Sequence, residues 1–167
     1  MTRFSFTAGN TLTWSTFLVA ALCVLASTGF KGSPHARPFS GRYQTTTTVV
    51  DATPPDQHTY VNGWGNATHL GRSSYDAETF IDRSAVPYVF YGTAVFTAAD
   101  LDELHTSYTG TSTPFEDGTV SIVRHYTVTG GSGRFDGVSG SFTGISGGLS
   151  GTVTRFNVID LEGTITY

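Results

Sequence analysis

Lysine is almost missing from this chain, with one residue, Lys31, in 167. From Gly41 onward there is none, and six arginines stand against thirteen acids, a balance near −7. Nucleic-acid binding depends on a basic stripe, and none is present. The same deficit excludes a polybasic membrane patch. Cysteine occurs once, at Cys23, so the chain has no intramolecular disulfide framework. The five histidines, at 35, 58, 69, 105 and 125, offer no short-spaced ligand pair, so neither a metal nor a cofactor is expected. No nucleophile-elbow motif occurs. Amphipathic helices are also lacking. The best candidate, Thr97 to His105, amounts to about two turns and reads as a loop or 3₁₀ turn.

Charged residues make up only 13% of the chain, yet it is not of the disordered type. Val, Ile, Phe and Tyr are spread along its length. Its N-terminus stands apart. "TFLVAALCVLASTGF", Thr16 to Phe30, is an unbroken and mostly apolar run. That is the length of a signal-peptide core and is short for a membrane span. Val24 with Ala26, or Ser27 with Gly29, supply small residues for cleavage. Residues 1–29 are therefore read as a signal peptide or a membrane anchor. The first alternative makes the protein secreted or cell-envelope, and the second ties it to a membrane through residues 16–30. Residues 30–40, with Pro34 and Pro38, read as a linker.

From Gly41 to Tyr167, β-branched and aromatic residues interleave with glycine, which predicts an all-β domain. Strand-like segments recur at regular spacing: "GRYQTTTTVV", "TYVNGWGNATHL", "RSSYDAETFID", "YVFYGTAVFTA", "LHTSYTGTS", "VSIVRHYTV", "GSFTGI" and "TVTRFNVIDLEGTITY". The last is one long strand or a tight pair. About eight antiparallel strands make a sandwich or a barrel. Glycine within strands favours an eight-stranded antiparallel barrel, because it allows the sharp bends that closure needs.

"TGGSGRFDGVSGSFTG", Thr129 to Gly144, is the least bulky stretch. A dinucleotide fingerprint would need glycine where Asp136 stands, and a helix after it. A P-loop would need a lysine. The recurring Phe135, Val138 and Phe142 argue against a linker. The stretch reads as a corner between strands, with Phe135 plugging inward.

This glycine segment, together with "GNATHLGR" (Gly65 to Arg72) and the terminal "EGTITY", resembles the allene oxide cyclase and dirigent barrel superfamily, and its bacterial secreted members most. The resemblance spans residues 41–167. It implies an eight-stranded allene oxide cyclase-like (calycin-like) barrel with an apolar internal cavity, assembled as a homodimer or homotrimer. It also implies a cofactor-free cyclase or isomerase acting on a hydrophobic small molecule. A non-catalytic secreted barrel that binds a small ligand is the alternative.

Several residues are candidates for such a site. His105, with Asp102 and Glu103 just before it, is the nearest thing to an acid–base cluster. His125 lies between Arg124 and Tyr126, and the short window around it leaves open which of the two faces points inward. Tyr91 joins His105 and His125 as a catalytic candidate. Trp64, Tyr75 and Phe90 are expected to wall a cavity and bind substrate. His69 joins them as a binding candidate at the barrel mouth, with hydrogen bonding to a neighbouring loop as its plainer role.

Overall fold

The computed structural model describes residues 35–149 and 154–167. Eight strands follow one another as an antiparallel meander: β1 (Ala36–Asp51), β2 (Asp56–Ala67), β3 (Gly71–Asp82), β4 (Tyr88–Ala98), β5 (Glu103–Pro114), β6 (Thr119–Gly131), β7 (Ser139–Leu149) and β8 (Thr154–Thr166). β8 returns to pair with β1 and closes the barrel. A single 3₁₀ turn, Gly133–Phe135, lies between β6 and β7. The expected eight-stranded antiparallel barrel is thus the observed fold. The signal-peptide or anchor reading and Cys23 fall outside the described residues. Among the described residues, no helix is long and apolar enough to cross a membrane.

One boundary needs correction. Residues 36–40 are strand rather than linker, pairing from Ala36 opposite Thr166 to Ser40 opposite Glu162. Pro38 is tolerated because β8 is the only strand paired with β1 there; pairing with β2 begins at Gly41, and side chains of the β2–β3 turn take the Pro38 carbonyl. A residue without an N–H loses no ladder bond on a side that has no partner. The last segment of the chain is one strand, not a pair.

Alternation decides what each strand buries. In β4, Phe90, Gly92, Ala94, Phe96 and Ala98 face inward, while Val89, Tyr91 and Thr93 face out. The same parity in every strand fills one half of the lumen with rings. Tyr43 meets Phe96 edge-on at 5.4 Å, Phe96 meets Phe142 at 5.8 Å, and Tyr126 stacks on Phe142 at 4.8 Å. Pairs of this kind contribute about 0.5–1.5 kcal/mol each beyond their buried area. Their hydroxyls are satisfied internally: Tyr75 pairs with Tyr126 at 2.9 Å and Tyr43 with Ser73 at 2.6 Å.

The strand glycines serve this packing by making space. Gly65 lies opposite Tyr43, Gly63 opposite Tyr75, Gly92 opposite Tyr108, Gly110 opposite Phe90 and Gly163 opposite Phe142. A Cβ on Gly65 would meet the Tyr43 ring at 2.7 Å, and one on Gly92 would meet the Tyr108 ring at 2.8 Å.

The aromatic end is corked. Gly133 and Gly137 take φ of 59° and 73°, a left-handed conformation that lets the chain double back between β6 and β7. Phe135 is thereby turned into the barrel and is fully buried beside Leu70, Leu104 and Val138. Arg134 holds the cork across two other loops. Its Nη1 pairs with Asp100 and, at 3.3 Å, with Asp102, and its Nε donates to the His69 carbonyl at 3.2 Å. The glycine stretch is therefore the expected corner, with Phe135 as its plug. The connections β1–β2, β3–β4, β5–β6 and β7–β8 all lie at the opposite end, the open end.

Two outcomes follow from this packing. Gly65→Ala should lower stability by about 1–3 kcal/mol in urea unfolding, because the added methyl group forces both the Arg42 carbonyl and the Tyr43 ring to move. Gly147→Ala, on the outer face with only a carbonyl oxygen at 3.3 Å, should stay within about 0.5 kcal/mol. The second outcome is alkaline. Burial pushes the Tyr43 and Tyr126 phenols up to about 12, and raises those of Tyr75 and Tyr108 as well. An open chain releases these protons near pH 10. The fold holds them more tightly, so their contribution is complete below pH 10 and is lost as pH climbs to about 12. Phenolate absorbance and circular dichroism should then change together for these four residues. Their ionisation inside an intact barrel would contradict the packing.

Candidate functional site

The catalytic candidates do not meet inside the barrel. Tyr91 and Trp64 are 63% and 68% exposed on the outer wall. His105 and His125 also point outward, because their neighbours Leu104, Thr106, Arg124 and Tyr126 take the inward positions. These placements correct the expectation that they line or serve a lumenal cavity. Parity is the cause: one residue's shift exchanges the two faces.

Some of the expected groupings do exist, but outside. His105 Nε2 lies 2.8 Å from Glu103, the acid expected to orient it, and both are part-exposed. Tyr91 and His125 border one outer groove of about 430 Å³ over Thr109, and Trp64 borders another of about 520 Å³ beside Phe156. His58 and Tyr60 both bond Glu78 on the same outer wall, at 2.9 and 3.2 Å. His69 sits in the β2–β3 turn with φ of 69°, not on a strand, and its Nε2 bonds the Pro38 carbonyl at 3.1 Å. Tyr75 and Phe90 alone among the site candidates face inward. Tyr75 belongs to the packed aromatic half, and Phe90 borders what is left of the lumen.

That remainder is a well at the open end. Thr47, Thr59, Thr79, Ser112, Gln57 and Asn157 supply its polar wall, and Val61, Ile81, Phe90 and Ile122 its apolar one. About 40 Å³ of it can be reached by the centre of a water molecule. Roughly 10–15 Å³ suffices for one water, so the well takes a few small polar atoms and no more. Below it, the Thr79 hydroxyl pairs with Tyr108 at 2.6 Å and begins the closed half. At the rim, Arg83 donates to Gln57 at 3.2 Å.

Arg124 borders this well and is only 5% exposed. It is the one buried charged side chain among the described residues. Nη1 donates to Ser146 at 2.9 Å, the side chain lies against the Phe90 ring with its Cζ 5.7 Å from the centroid, and Nε has no partner. No carboxylate pairs with it. All thirteen acids lie at exposed or half-buried positions on outer faces or loops. Burial opposes the guanidinium's charge, and coulombic attraction to Tyr126, Tyr75 and Tyr108, once these ionise, raises its pKa above the usual arginine value. As an arginine it stays a cation at every working pH. Arg124 was one of two open alternatives in its strand, and the Thr, Ser, Gln and Asn of the well carried no sequence signal of their own.

A buried cation without a counterion costs stability. Arg124→Met, which fills similar volume without the charge, should leave the barrel as stable as before or more stable, by up to about 4 kcal/mol. Thermal and urea unfolding measure this. A loss above about 1 kcal/mol would mean that the guanidinium is a structural tie. No family model, no curated protein and no solved structure matches this chain.

Proposed function

We propose that this protein is a non-catalytic barrel that binds a small ligand head-first through its open end. The observation that carries the reading is Arg124, a buried cation with spare donors, bordering a small polar well inside an otherwise packed lumen. Polar groups at a concave site fix a ligand's orientation, and apolar walls add affinity. Here Thr59, Thr79, Ser112 and Asn157 surround the head position, and Ile81, Phe90 and Ile122 flank it.

The cyclase or isomerase that the resemblance implies has less support. Folding a reactive chain requires an enclosed chamber, and ligand pockets are typically about 300–1,000 Å³. The well is far below that, at about 40 Å³. The catalytic candidates Tyr91, His105 and His125 stand outside, where no bound chain could be shielded from water. The inward tyrosines keep their protons and, below Thr79, are closed off by packing.

Methyl NMR of the full chain, titrated with a panel of small neutral and acidic amphiphiles, tests the proposal. Saturable shifts should gather at Thr59, Thr79, Ile81 and Ile122, and the methyls of Ile145 on the outer wall should be unmoved. Shifts confined to the outer grooves, or none at all, would refute a lumenal binding site.

A further inference from the structure

We infer that the well is a carboxylate site, and that its ligand is an organic acid with an apolar tail whose head sits against Arg124. This rests on the binding reading above and adds the chemical class of the ligand. The first argument is charge. Arg124 is 5% exposed, and its nearest fixed partner is a neutral hydroxyl, Ser146, at 2.9 Å. The chain has no acid to offer. All thirteen lie outside the lumen, and residues 1–34 and 150–153 contain none. A charge held in this way is completed by an anion from outside.

The second argument is shape. A guanidinium carries five N–H donors in a planar fork that matches a carboxylate. Hydroxyls of Thr59, Thr79 and Ser112 line the same small space, which admits a planar head and little more.

The third argument concerns the rim. Val50, Val86, Phe115 and Leu149 are all exposed large apolar residues. Val86 and Phe115 lie in the β3–β4 and β5–β6 connections of the open end, and Val50 and Leu149 at the last turns of β1 and β7 beside the other two. Val86 and Phe115 thus put apolar surface on two of the connecting loops at the open end, while Leu149 falls on the outward face of β7. The rim also carries Asp51, Asp56, Asp82, Glu116 and Asp117, which repel a bare anion at a distance. A hydrophilic inorganic anion has nothing with which to offset that repulsion. An amphiphilic acid does, because its tail has Ile81 and Ile122, and Val86 and Phe115 on the rim loops, to lie on while its head reaches Arg124.

The test compares sodium octanoate with 1-octanol on the full chain at pH 7, by calorimetry and by the methyl shifts of Thr59, Thr79 and Ile122. Octanoate should bind roughly 10- to 100-fold more tightly than octanol, the range of a charge-assisted hydrogen bond. Arg124→Met should abolish that preference, and Arg124→Lys should restore part of it. The comparison in the unaltered chain stands without any variant. Equal affinity for the two probes in the well overturns the carboxylate assignment and leaves the binding barrel intact. Failure of both probes to shift the well methyls overturns both. If chloride or phosphate alone gives the same Arg124-dependent stabilisation as octanoate, the site is one for inorganic anions and the inference falls.

Discussion

The interior of an eight-stranded barrel has a fixed width, and the whole structure answers to that limit. Many of the large inward rings need room from a neighbouring strand, and the sequence provides it as glycine in the facing position, as for Tyr43 and Gly65 or Phe142 and Gly163. Arg124 is accommodated in the same way, with Gly110 on one side and Gly144 on the other. The device that packs the core also lets a charged side chain enter it. Fold and candidate site are therefore not separate layers of this molecule.

The lumen divides along its axis. One half is hydrocarbon and phenol, corked by Phe135 and bound across its loops by Arg134. The other half changes to Thr, Ser, Gln and Asn around a single cation. The outer wall carries its own histidines, acids and rings, open to water. The hydroxyls and amides of the well neither gain nor lose protons near neutrality, and the titratable groups of the open end stand at its rim.

Much of this was legible in the sequence. The segment "YVFYGTAVFTA" matches β4 end to end, because strict alternation and flanking turn residues leave little choice. Phe135 was legible as a plug because an aromatic amid glycines has nowhere else to go. The start of β1 was hidden by Pro38, whose missing donor is harmless only because β2 has not yet arrived beside it. The inward turn of Arg124 was ambiguous in the window Ile122 to Thr127. The longer row Val120, Ile122, Tyr126 and Val128, set against Ser121, His125, Thr127 and Thr129, favours the face that Arg124 shares. Trp64 misled because aromatic bulk suggests a core, while its neighbours Gly63 and Gly65 take the inward positions. The well itself could not be read, since its members come from seven strands and meet only through the register of the closed sheet.

The seam between β1 and β8 differs in kind from the other seven ladders. They join strands that are adjacent in the chain, whereas the seam joins residues more than about a hundred positions apart, as at Ala36 and Thr166. Hairpins close quickly, and long-range pairing waits for them. The order of assembly is thereby set: a curling sheet grows from its hairpins, and the seam zips last. Until then β1 has an unpaired edge. Its four consecutive threonines and its one proline present few large apolar side chains to a stray strand. The threonine-rich first strand, unremarkable in the finished barrel, is suited to the interval in which β2 alone is paired with it and its other edge is open.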